Sequence, residues 1–141
     1  MKLILSALRE AIKAGLGDIK SVHVVPDPDM LPPGVQFPLI GLKDGDQSFS
    51  EGVDQTESEK GIVLIYIYVQ ILKDEASIMG DGGKKGLLDL MVELRTLLNF
   101  NELEGVIHFG YVPEVMASEI TMAEENVFVQ RKGCRYVYEI V

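Results

Sequence analysis

A chain of 141 residues, 47% hydrophobic and 25% charged, has the make-up of one globular domain rather than of a disordered or membrane-embedded chain. Its 13 basic and 22 acidic residues give a formal charge of −9, which argues against a protein that grips nucleic-acid phosphates through a broad basic face. A single cysteine, Cys134, excludes an intrachain disulfide and points to a reducing compartment or an assembly built without bridges.

The opening residues place Ile4, Leu8, Ala11 and Ile12 at helical spacing with Arg9, Glu10 and Lys13 between them, and Gly15 and Gly17 offer stops, which predicts a first helix over residues 3–16. Arg9 and Glu10 interrupt the apolar start before a signal-peptide core forms, so no export signal is read and a soluble, intracellular chain is expected. Ile19 to Val25 reads as a short strand. Pro26-Asp27-Pro28-Asp29 ends it, because proline donates no ladder hydrogen bond and disfavours helix in the residue before it. Phe37 to Leu42, with Pro38 near its start, reads as a second strand or an edge strand. From Lys43 to Lys60 the chain turns polar and acidic, and a long acidic loop or extended hairpin tip is predicted over about residues 43–60.

Ile62 to Leu72 is the clearest strand. Val63, Ile65, Ile67, Val69 and Ile71 form one β-branched face assigned to the core, and the opposite face, Ile62, Leu64, Tyr66, Tyr68, Gln70 and Leu72, is also largely apolar. Something is expected to cover both sides. A glycine-rich stretch then leads into a second helix over residues 84–99, with Leu87, Met91, Leu94 and Leu98 in phase. Strands are read at Val106 to Val112, Glu119 to Met122, Asn126 to Arg131 and Arg135 to Val141, with Lys132-Gly133 as a turn. The order of elements predicts a single α+β domain over residues 1–141, a mixed or antiparallel sheet with two helices packed on one face.

The sequence holds no recognisable catalytic, cofactor or metal apparatus. Gly80 to Gly86 has glycines and lysines but lacks the spacing and hydroxyl residue of a phosphate loop. The run from Asp44 puts Phe49 and Gln55 where a calcium loop needs glycine and glutamate. His23 and His108 stand far apart without a metal-ligand pattern, and Cys134 reads as a buried, inert thiol. The apolar surplus of the strands suits an assembly subunit instead. Tyr66, Tyr68, Tyr136 and Tyr138, with Leu64, are the candidate subunit-interface residues, since tyrosine suits half-buried contact surfaces.

The sequence of elements, from the opening helix Leu3 to Leu16 and Val22-His23-Val24-Val25 with its proline-rich link, through Phe37-Pro38-Leu39-Ile40, Gly61 to Leu72 and Gly86 to Leu98, to Arg135-Tyr136-Val137-Tyr138-Glu139-Ile140-Val141, resembles the tail terminator, or tail-completion, proteins of long-tailed bacteriophages and prophages. The resemblance lies in layout over nearly the whole length rather than in a diagnostic motif. It implies a structural protein of the virion, not an enzyme and without cofactors, made in the host bacterial cytoplasm. It further implies a homo-oligomeric ring, commonly a hexamer, at the head-proximal end of the tail. The partners implied are the tail tube protein, the head-tail connector proteins and DNA that passes through an acidic lumen without specific binding. The alternatives are another neck component, a connector or head-completion protein, and a small-molecule-binding domain with a pocket between sheet and helices.

Overall fold

Helix α1 spans Lys2–Gly15 and buries Ile4, Leu8 and Ile12, positions four apart that share one side of a 3.6-residue helix. The computed structural model describes residues 1–71, 75–125 and 127–141. After α1 come β1 (Ser21–Val24), β2 (Leu39–Glu51), a 3-10 turn at Val53–Gln55, and β3 (Glu57–Gln70). The second half holds a one-turn helix α2 (Ala76–Met79), helix α3 (Leu87–Leu98), β4 (Phe109–Val115), β5 (Glu119–Glu124) and β6 (Val127–Ile140).

The strands form one sheet in the order β1-β2-β3-β6-β4, with β5 pairing the other half of the same edge of β6. β1 runs parallel to β2 and every other pairing is antiparallel, so the sheet is mixed and the domain is α+β. Helix α1 lies over β1 and β2, and α3 over β3, β4 and β6. Both helices cover the same face. Ile40 and Leu42 of β2, Val63, Ile65 and Ile67 of β3, and Cys134, Tyr136 and Tyr138 of β6 meet Ile4, Leu8, Ile12, Leu90 and Leu94 in one core. The β-branched face read from the sequence is this core face, and each fully buried aliphatic side chain on it contributes about 1.5–3 kcal/mol.

Four boundaries differ from the sequence reading, each because pairing partners decide what local propensity leaves open. Of the loop or hairpin tip expected for the acidic stretch the hairpin forms, and it moves the end of the strand: Gln47 to Glu51 pair with Gly61 to Glu57, and β2 therefore runs nine residues past Leu42. No turn exists at Lys132-Gly133; Lys132 pairs Ile67 and Gly133 pairs Tyr66 in an unbroken β6. The glycine is accommodated there because the Tyr66 ring and the Met116 methyl occupy the space of its missing Cβ. The strand read from Val106 begins later, at Phe109, after Leu103 and Glu104 take left-handed backbone. Helix α3 starts at Leu87 because the glycines before it favour irregular backbone, and the extra helix α2 was not read. Leu72 and Asn126, which the sequence reading placed in strands, lie outside the described residues.

Candidate subunit-contact surface

The face of the sheet turned away from the helices is divided in two. At one end residues 26–38 run across it as a strap, and Leu31, Val35 and Phe37 close over Leu39, Tyr68 and Val129 as a second, small core. The strap is proline-rich, so it has few backbone donors to satisfy and lies flat without joining the ladder. The Tyr68 hydroxyl donates to the Pro28 carbonyl at 2.6 Å and anchors it.

Arg131, opposite Tyr68 in the ladder, fastens the same strap by charge. Its Nε donates to Glu119 of β5 at 2.8 Å, its other nitrogens reach Asp29 of the strap and Glu119, and its guanidinium carbon stands 5.6 Å from the Tyr66 ring centre. The arginine side chain is 10% exposed while its two acids are 64% and 57% exposed, so the cation is held in the protein and the anions keep most of their water. Arg131 is a keystone not singled out from the sequence. Its signal was the apolar neighbourhood of Val127 to Cys134.

At the other end the outer face has no covering layer. Ile62, Leu64 and Tyr66 of β3, Val137 of β6 and Tyr111 of β4 are half-buried there. Phe109 continues the patch, with ring centres 5.3 Å from Tyr111 and 5.7 Å from Phe100; Phe109 is 39% and Phe100 70% exposed. An antiparallel sheet with one wet face is normally polar on that face. This one is apolar.

The five candidate interface residues therefore separate. Leu64 and Tyr66 stand on the uncovered face. Tyr68, Tyr136 and Tyr138 are fully buried inside the chain, Tyr68 beneath the strap and the other two beneath the helices, and have no surface left to offer a partner. Strand type and spacing are local signals, but the strap is not, and a turn expected at Gly133 leaves the phase of Tyr136 and Tyr138 untied to that of β3. Burial raises all three phenols above their usual range and keeps them neutral. Tyr138 donates to Glu59 at 2.8 Å, whereas the Tyr136 hydroxyl has no partner among the described residues.

Beyond the sheet the β2–β3 hairpin continues as a two-stranded arm. Phe49 is 57% and Val53 84% exposed on it, and Glu51 and Glu57 are direct cross-strand partners. Elsewhere the chemistry is sparse. Cys134 is buried, and burial pushes its thiol up to about 12, which keeps it un-ionised and unreactive near neutrality. Among the described residues no group of three or more His, Cys, Asp or Glu is placed to hold a metal ion, and no helix is long and apolar enough to cross a membrane. The cleft at the glycine-rich turn, about 600 Å³, is open to solvent and carries Lys85 already paired with Asp18 and Glu93.

Compared with known proteins, the chain matches no protein-family model and no curated relative.

Proposed function

We propose that this chain is a tail terminator of a long-tailed phage or prophage, a subunit that closes into a ring on the head-proximal end of the tail tube and joins it to the head connector. The observation that carries this reading is the uncovered outer face around Ile62, Leu64, Tyr66, Tyr111 and Val137. Half-exposed aliphatic and aromatic side chains set among paired charges are the make-up of a protein contact, and a neighbouring copy supplies the missing layer. In this reading the ring, a hexamer, acts by occupying the end of the tube and needs no reaction chemistry. A net charge of −9 suits a channel through which DNA moves without sticking.

The nearest alternative, a connector or head-completion protein, would use the same face between copies, so the partner decides between them. The test is the absolute mass of the protein by light scattering over a range of concentration, followed by binding to purified tail tubes and to purified heads. A ring-sized particle that binds tubes supports the proposal. A particle that binds heads alone moves the role to the connector, and a chain that stays monomeric even on tubes overturns the ring.

A further inference from the structure

We infer that copies of this chain join head to tail through the acidic β2–β3 arm of one and the basic face of α1 of the next. The inference rests on the self-association part of the proposed function and on nothing about the tail.

The arm is built unfavourably for an isolated hairpin. Glu51 and Glu57 sit directly opposite each other, Asp54 occupies the turn between them, and among the described residues none of the three has a cation within 4 Å. Like charges at opposed positions of a two-stranded ladder destabilise it, and a two-stranded ribbon is marginal in water to begin with. Such an arm gains stability from an external cation.

The same chain carries the complementary surface. Along the outer side of α1, Lys2, Ser6, half-buried Arg9 and Lys13 follow one another at intervals of four, three and four residues, which stacks them in one stripe flanked by exposed Glu10. Among the described residues Lys2, Arg9 and Lys13 form no ion pair, and Nε of Arg9 is buried without any hydrogen-bond acceptor. The part of the Arg9 guanidinium that remains exposed, with Lys2 and Lys13, is what an incoming carboxylate can reach. Exposed Leu3 beside the stripe gives Phe49 or Val53 of the arm an apolar landing place.

The two surfaces do not pair within one copy. The Tyr138 hydroxyl lies 4.0 Å from the Met1 sulfur, and Tyr138 pairs Gly61 at the base of the arm, so α1 starts beside that base and runs back along the sheet while the arm points away from it. An acidic projection beyond the sheet and a basic stripe running back along α1 are different surfaces of the chain, so their pairing between copies is heterologous and yields a ring when the rotation between copies closes.

The test is a charge swap read by light scattering at low and at physiological salt. Replacing Glu51→Lys together with Glu57→Lys keeps the opposed like-charge pair, so the arm's own stability is unchanged while its sign is reversed. This variant is expected to raise the concentration for half-assembly about tenfold or more, and Lys2→Glu with Lys13→Glu to do the same. Carrying all four changes in one chain restores assembly, which a merely misfolded variant would not. Both swapped variants assembling at the wild-type concentration overturns the arm-to-helix contact and leaves the ring standing. A wild type that never assembles, with or without tail tubes, overturns the ring and this contact together.

Discussion

Gly61 and Tyr138 are register partners across β3 and β6, and the phenol ring of Tyr138 fills the space that a Cβ on residue 61 would need. The ring is fully buried and its hydroxyl is tied to Glu59, so it cannot swing aside freely. Gly61→Ala is therefore expected to destabilise by about 1–3 kcal/mol through overpacking. Denaturant midpoints measure it. In a Tyr138→Val background the same alanine should cost far less, and an equal cost in both backgrounds would show that backbone effects, not the ring, set the penalty.

One residue pair along β6 the imbalance has the opposite sign. Tyr136 is as buried as Tyr138 but its hydroxyl finds no partner among the described residues. Desolvating a hydroxyl without compensation costs about 1–3 kcal/mol, so Tyr136→Phe should leave stability unchanged or raise it by about 1 kcal/mol. Thermal melts of the two phenylalanine variants make the comparison, with Tyr138→Phe, which gives up its bond to Glu59, expected to lose stability.

These two tyrosines also mark what could be read before the fold was known. Strand and helix periodicity placed α1, β3 and α3 and the core face of β3, because those signals are local. The side on which Tyr136 and Tyr138 fall was not legible, since Gly133 reads as a turn until Tyr66 and Met116 are seen to occupy its open side. In the same way Lys43 to Lys60 reads by composition as either a loop or a hairpin tip, and only the pairing of Phe49 with Glu59 and Ser50 with Ser58 decides for the hairpin. The strap is the third such case: its prolines announce irregular backbone, and nothing local says that Tyr68 lies beneath it.

The clamp at Arg131 predicts an asymmetry. Removing the arginine as Arg131→Met leaves two acids that are already mostly in water, and also lifts the cost of holding a guanidinium inside the protein. That change should cost about 1 kcal/mol. Removing the acids instead, as Asp29→Asn with Glu119→Gln, strands the cation and should cost about 3 kcal/mol or more. Equal losses from the two variants, compared by chemical denaturation, would mean that Arg131 is better solvated than its burial implies.

His23 gives a pH dependence whose sign is fixed. Burial first, and then the charges of Arg9 and Lys13, lower its pKa below the usual 6.5. The protonated form is thus more costly in the folded chain than in the unfolded one. Above pH 6.5 both states are neutral at this position and it contributes no pH dependence. As pH falls below that value the unfolded state takes up the proton first, and stability declines until the folded-state pKa is passed. His23→Gln should flatten the part of the melting-temperature profile just below pH 6.5, while leaving the value at pH 7.5 close to wild type.

The uncovered sheet face makes the sharpest contrast, because adjacent residues on one strand face opposite fates. Ile65 is fully buried beneath the helices, and Leu64, one residue earlier, stands half-exposed on the outer face. Ile65→Glu buries an unpaired carboxylate and should cost more than about 4 kcal/mol, enough to unfold a marginally stable domain. Leu64→Glu can turn its carboxylate to water and should change the melting temperature of the monomer little, within about 1 kcal/mol of stability. If a neighbouring copy covers that face, the Leu64 variant will fold as the wild type does and fail to reach ring mass by light scattering. A folded Leu64→Glu chain that still assembles at wild-type concentrations would remove the outer face from the interface and, with it, the main support for the ring.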